Sequence, residues 1–366
     1  MERISEVKKI RRVSYTLLVN ALCILCLSLI SIYSTTAQRT LGFFYREIIF
    51  GIIGIGAYVV FSVIDYRYYS KYSKLIYILN ILILLSVFIF GIKRLGAQRW
   101  IDLGFIVIQP SEFSKVMVIL TFSDYLVDNY TKNRNDGFKK MFFSFFHIIP
   151  IFLLIAKQPD LGTSLSLVFI YLVVLFINGI NWRVVVSLIG GVVAFVPLAY
   201  NFLLKPYQRQ RVLTFLDPEA DLLGSGWNVT QSKIAIGSGG IYGKGLLNST
   251  QSKLRFLPEA HTDFIGSVYL EETGLVGGAL LLLIYAILIF QIMHIGDKAK
   301  DEFGKLLCYG IGGVFLFHVI VNLGMVMGIM PVTGKPLLLM SYGGSSLILS
   351  FIMLGIVQSV KVHREL

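Results

Sequence analysis

The residues best suited to chemistry fall in one stretch, Phe256-Leu-Pro-Glu-Ala-His-Thr-Asp-Phe264. Asp263 stands two residues after His261 and four after Glu259, at the edge of the next apolar run. A carboxylate held where water meets an apolar phase can accept the proton of a hydroxyl on an amphiphilic substrate. Upstream lie Tyr207-Gln-Arg-Gln-Arg211 and a Gly-rich run from Gly224 to Gly245, in which Gly243 and Gly245 flank Lys244. Backbone amides of Gly-rich turns can cradle phosphate, and Arg209, Arg211 and Lys244 can balance its charge. The run lacks GxxxxGK(S/T), and it serves equally well as a loop that needs Gly to pack close over a membrane. His261 alone reads as a solvated loop residue or a structural donor. With no HExxH and no paired Cys/His spacing, no metal ligands are assigned, and serine-nucleophile motifs are absent.

Further charges sit beside apolar runs, where each is costly and needs a reason. Glu112 and Lys115 are three apart and share a helix face, either as a self-neutralising pair or as a pair that orients a headgroup. Asp160, in Lys157-Gln-Pro-Asp160, precedes a helix that it can cap. Lys93–Glu112 carries Arg99 and Trp100 beside Asp102 and reads as an interfacial or re-entrant piece, with Pro110 and Ser111 opening the next helix. Glu271 and Glu272 fall inside an apolar run, so either that span begins after them or one lines a polar cleft; the first is preferred.

The elements that must position these residues are membrane helices. Of 366 residues, 55% are hydrophobic and 15% charged, and the mean hydropathy is +0.74. A soluble domain of this length has no means of covering so much apolar surface. The sequence predicts an all-α polytopic membrane protein in a single domain, 1–366, with about ten spans. These are Tyr15–Ser34, Tyr45–Ile64, Leu75–Ile92, Phe113–Val127, Met141–Ala156, Thr163–Asn178, Val184–Leu203, Phe264–Ile292, Lys305–Met330 and Leu337–Val360. One large polar loop, 204–263, separates spans seven and eight. The net charge of +12 comes from short basic clusters between spans, which is a topology signal and not a nucleic-acid footprint. Segments on the side of the N-terminus carry 18 Lys and Arg against 8 on the other side once the long loop is set aside. Both termini are therefore expected in the cytoplasm and the long loop outside. Cys23, Cys26 and Cys308 lie in apolar runs and read as packing, and the first apolar run is too long for a cleavable signal.

An acid at the outer interface beside basic residues is chemically sufficient for glycosyl transfer from a lipid pyrophosphate. The base takes the acceptor hydroxyl proton, and the leaving pyrophosphate needs charge stabilisation more than an acid. The chain resembles the SEDS family, the RodA, FtsW and SpoVE proteins, and the RodA branch most closely. Gly96-Ala-Gln-Arg-Trp100, Gln109-Pro-Ser-Glu112 with Lys115, and Gln158-Pro-Asp-Leu-Gly-Thr163 carry the likeness. So do Tyr207-Gln-Arg-Gln-Arg211, Ile234-Ala-Ile-Gly-Ser-Gly-Gly240, the Asp263 stretch, and Ser341-Tyr-Gly-Gly-Ser345. The resemblance implies a glycosyltransferase that polymerises lipid II on the outer face of a bacterial plasma membrane during cell elongation. It implies a class B penicillin-binding protein as partner, with Asp263 as the essential acid and Glu112–Lys115 as an ion pair of the fourth span. Lys335 departs from the family, which usually has an apolar residue there, and adds a cation expected at the outer face. Substrate contacts are assigned to Arg99, Glu112, Lys115, Asp160, Arg209, Arg211, Lys244 and His261. No cofactor is assigned, although a divalent cation, Mg or Mn, is compatible with bridging the pyrophosphate.

Two other functions fit many spans. A translocase for the lipid-linked precursor needs polar groups at both faces and mid-membrane, whereas the special residues crowd one face and the two halves show no inverted repeat. A scaffold for a partner enzyme gives Asp263 no chemical reason to exist.

Overall fold

The computed structural model describes residues 15–37, 40–94, 97–102, 104, 107–130, 137–184, 224–254 and 256–364, with scattered positions between 186 and 217. The chain begins with α1 (Tyr15–Thr36), α2 (Gly42–Val63), a short α3 (Arg67–Lys71) and α4 (Ser73–Phe90). A small sheet follows, β1 (Ile92–Arg94), β2 (Ala97–Asp102) and β3 (Val107–Ile108), then α5 (Pro110–Tyr130), α6 (Gly137–Lys157) and α7 (Leu161–Ile177). The C-terminal part holds α8 (Ser225–Gly239), α9 (Thr250–Lys253), α10 (Ile265–Asp297), α11 (Glu302–Val326) and α12 (Gly344–His363).

Six of these, α1, α2, α4, α10, α11 and α12, are long and apolar enough to cross a membrane, and Met141–Lys157 and Leu161–Ile177 are shorter apolar helices. In hydrocarbon every backbone N–H and C=O must be paired inside the segment, and the helix does this. α11 and α12 form the buried centre, with Phe315, His318, Asn322, Phe351 and Gln358 enclosed. α2 and α4 lie outside, exposing residues such as Ile52, Val63, Ile78 and Phe90 in the way lipid-facing helices do. α2 reaches α12 at close range through small residues: a Cβ on Gly54 would come within 2.5 Å of the Phe351 ring.

α10 is broken. Gly274 has φ 67° and ψ −163°, so the carbonyls of Glu271 and Glu272 are free of intrahelical partners. The Gly240–Gly245 turn fills the break. Lys244 N donates to Glu271 O at 3.0 Å and Gly245 N to Glu272 O at 3.0 Å, while Leu275 N and Val276 N donate to Gly240 O and Ile241 O. A side chain at Gly274 would strike Gly243 N at 2.4 Å, so this approach of two backbones requires glycine. Glu271 and Glu272 precede the break, and the uninterrupted apolar part of α10 starts after them.

The structure corrects the sequence expectations in four places. The chain is mostly helical but not all-α, because the interfacial segment forms an antiparallel three-stranded sheet, with Ile92 opposite Trp100 and Ile101 opposite Ile108. Strand pairing satisfies a backbone that Gly and the charges keep from becoming helical. The Gly-rich run is not a phosphate-cradling turn over most of its length: Ser225–Gly239 is helix α8, and the amides of the turn after it are taken by α10 carbonyls. The last helix begins at Gly344 and not at Leu337, since Leu337–Gly343 folds into a turn closed by Leu337 N to Ser341 Oγ and Ser341 N to Leu337 O. Lys335 is enclosed and not at an outer surface. The expected seventh span, Val184–Leu203, lies largely outside the described residues.

Candidate active site

Asp263 occupies the turn that leads into α10, half-buried. The turn closes on itself through Thr262 N and Phe264 N, which both donate to Glu259 O. Two neighbours outside it fix Asp263. Asn322 of α11 donates from Nδ2 to Asp263 O at 2.9 Å and to Lys335 O at 2.8 Å, clipping the two segments together. Gly334, with φ 66°, presents its Cα directly to the carboxylate; a Cβ there would stand 3.3 Å from Asp263 Oδ2. His261 points elsewhere. Its ring packs 4.7 Å from Phe43 and 5.5 Å from Tyr342, its carbonyl accepts from Tyr342 N, and it lines a cavity of about 270 Å³ with Thr35, Thr36, Glu259 and Ala260.

Behind the turn lies a buried charge cluster. Lys115 Nζ meets Glu112 Oε2 at 2.7 Å and His318 Nε2 at 2.7 Å. His318 Nδ1 faces Pro336 O at 2.8 Å. A carbonyl only accepts, so Nδ1 carries the proton and Nε2 accepts from the lysine. Lys335 Nζ lies 3.0 Å from Glu112 Oε1 and 3.2 Å from Asp160 Oδ1, and also bonds Thr163 Oγ1. Asp160 caps α7 through Thr163 N and further accepts from Gln109 Nε2 at 2.6 Å, Ser111 Oγ at 2.9 Å and Thr163 Oγ1 at 2.6 Å. Burial opposes its ionisation, but Lys335, Arg99 and the Thr163 hydroxyl more than offset this and hold its carboxyl down at about 2. Lys335, outside the spanning helices, is likewise shifted: burial disfavours its charge, yet Asp160 and Glu112 raise it above the ordinary lysine value. Arg99, on β2, stands at the rim, 3.9 Å from Asp160 Oδ1 and 21% exposed, with Trp100 5.9 Å away.

Lys244 belongs to another group. Its ammonium is 2.6 Å from Glu271 Oε1, and the same carboxylate accepts from Ser249 Oγ, Thr250 N and Thr250 Oγ1. Glu272 accepts from Ser34 of α1. These acids therefore anchor the loop to α10 and α1.

The structure thus sorts the expected contact residues. Glu112, Lys115 and Asp160 are buried at 4%, 0% and 1% exposure, so they support the site from within and do not reach a headgroup. Lys244 is committed to Glu271, and its glycines to α10 carbonyls. Arg99 stays partly exposed at the rim of the cluster, and His261 lines its cavity. Arg209 is described, half-buried, and Arg211 lies outside the described residues. The contacts made by Asn322, His318, Thr163 and Lys335 escaped sequence reasoning. Lys335 was visible as a lone cation between apolar residues, but its partner Glu112 is 223 positions away. Among the described residues no group of three or more His, Cys, Asp or Glu is arranged to hold a metal ion.

Comparison with known proteins gives one answer along the whole chain. Residues 10–366 match the family model FTSW_RODA_SPOVE, described as cell cycle protein. The peptidoglycan glycosyltransferase MrdB of Escherichia coli K12 is 43% identical over 354 residues, 96% of this chain and 94% of that protein. A solved structure described as showing structural coordination of polymerization and crosslinking by a peptidoglycan synthase complex superposes with TM-score 0.82 at 30% identity, covering 96% of this chain and 98% of the other. The crystal structure of the rod shape determining protein RodA of Thermus thermophilus gives TM-score 0.73 at 26% identity, covering 97% and 98%. With a family model and relatives that span nearly all of it, the chain belongs to the FtsW/RodA/SpoVE family.

Proposed function

We propose that this chain is an inverting peptidoglycan glycosyltransferase that polymerises lipid II during cell elongation, with Asp263 as general base. The carrying observation is a half-buried acid at the start of α10, its backbone clipped by Asn322 and its carboxylate beside Gly334. Asp263 takes the proton of the acceptor hydroxyl as that oxygen attacks the donor's anomeric carbon. The carbon–pyrophosphate bond breaks on the opposite face, and lipid pyrophosphate leaves with the bonding pair. In this reading the charges of Arg99, Arg209 and Arg211 balance the pyrophosphate, and His261 lines the headgroup cavity. An apolar groove of about 240 Å³ between α7 and α11, bounded by Leu165, Phe169, Phe317 and Met330, suits the lipid half of such a substrate. A divalent cation, Mg or Mn, would come with the pyrophosphate.

In the same proposal the chain is one ten-span domain in a bacterial plasma membrane, both termini cytoplasmic and loop 204–263 outside. Its partner is a class B penicillin-binding protein that supplies transpeptidation. The support is the excess of Lys and Arg on the terminal side and the relative solved within a synthase complex.

The test is polymerisation of labelled lipid II by the purified protein and its Asp263→Asn variant, each with the penicillin-binding partner. Polymer from the first and none from the second is expected. Equal polymer from both removes Asp263 from the chemistry. No polymer from either, with precursor carried across sealed vesicles, would replace the transferase with a translocase.

A further inference from the structure

Lys335 makes more contacts than neutrality demands. Without it, Glu112 would still hold Lys115 at 2.7 Å, and Asp160 would still receive Gln109, Ser111 and both donors of Thr163, with Arg99 at the rim. Counting Arg99 and Lys115 against Glu112 and Asp160, the cluster is already balanced, and Lys335 adds a positive charge that the acids do not require. Lys335 is 2% exposed, and its aliphatic stem lies on Gly162, where a Cβ would come within 2.5 Å of Lys335 Cε. The site is built to receive this side chain.

What Lys335 adds is a direct ionic connection. Its backbone is part of the turn that underlies Asp263: Lys335 O shares Asn322 Nδ2 with Asp263 O, Gly334 abuts the carboxylate, and Pro336 O takes the His318 proton. Its side chain ends between α5 and α7, on Glu112 and Asp160. We propose that Lys335 is a positioning residue for glycosyl transfer: by fastening the 333–336 segment to the acidic pair of α5 and α7, it fixes the carboxylate of Asp263 against Gly334. This rests on Asp263 being the base. Displacing a catalytic group by about 1 Å can lower the rate about 100-fold without changing what binds.

The experiment compares lipid II polymerisation by wild type, Asp263→Asn, Lys335→Met and Asn322→Leu, each in complex with the partner, over a range of lipid II concentration. Met keeps the length of the stem over Gly162 and removes only the ammonium. Lys335→Met is expected to lose about 10- to 100-fold in kcat with KM unchanged. Asn322→Leu cuts the clip and leaves every charge in place, so it is expected to reproduce that loss. It also serves if Lys335→Met does not fold. A raised KM at unchanged kcat in Lys335→Met would overturn the proposal, because the lysine would then act through Arg99 and the charge seen by the substrate. Wild-type kcat in either folded variant would overturn it as well. Activity in Asp263→Asn would refute the base itself, an outcome distinct from an inactive Asp263→Asn beside a fully active Lys335→Met.

Discussion

Glu112→Gln should destabilise the protein more than any other single change in the charge cluster, and a second substitution should restore part of the loss. Glu112 Oε2 holds Lys115 at 2.7 Å and Oε1 holds Lys335 at 3.0 Å, and all three residues are buried. Removing the acid leaves two enclosed ammonium groups facing Asp160, with only His318 Nε2 still accepting from Lys115. Breaking a buried pair this way costs about 3–5 kcal/mol, mostly for the charge left behind. Lys115→Met is milder, about 2 kcal/mol, since Glu112 keeps Lys335 and Thr163. The double variant leaves Lys335 on Asp160, with Arg99 at the rim and no buried ammonium without a carboxylate, and should cost about 3 kcal/mol where additivity gives about 6. At about 2 °C per kcal/mol, thermal unfolding in detergent at one fixed scan rate should fall by about 8 °C, 4 °C and 6 °C for the three variants. A double variant lower by about 12 °C would refute the reasoning, because Glu112 and Lys115 would then be acting independently.

Two further predictions concern the supports around this cluster. Glu271→Gln removes a buried carboxylate that accepts from Lys244, Ser249 and Thr250; with Lys244 28% exposed and able to turn to water, the local cost is about 2–3 kcal/mol. Hydrogen exchange at amides between Gly243 and Lys253 should rise by about 30- to 100-fold, and unchanged exchange would mean the loop is held by its backbone bonds alone. Asp160 has a folded value of about 2 against an ordinary 3.8, so its contribution is fully present above about pH 4 and is lost as pH falls through 2. That amounts to about 2 kcal/mol, and unfolding midpoints measured from pH 5 to pH 2 should lose this part of their decline in Asp160→Asn.

The helices were legible because a spanning segment declares itself locally: Tyr15–Thr36 and Ser73–Phe90 are predominantly apolar and fall within two residues of the expected bounds. The Glu112–Lys115 pair was legible for the same reason, since a spacing of three fixes a shared helix face. That Lys335 joins the pair was not, because the contact closes a loop of 223 residues and nothing near Lys335 in sequence is acidic. Lys244 is the more instructive case. Glycines on both sides of a lysine are what a phosphate cradle would need, and they are equally what a turn needs to enter a broken helix. The decision is made by Gly274, thirty positions on: its φ of 67° interrupts α10 and frees the carbonyls of Glu271 and Glu272. Free carbonyls within a membrane-embedded bundle must find donors, and the amides of Lys244 and Gly245 are the ones that reach them. The Glu271 carboxylate then takes the ammonium that would have met phosphate. A neutral residue in place of Glu271 would therefore release the lysine and leave the turn held to α10 by its backbone bonds, more weakly than before. With Lys244 taken by Glu271, Arg99 on β2 is the described cation that stays partly exposed beside Asp160.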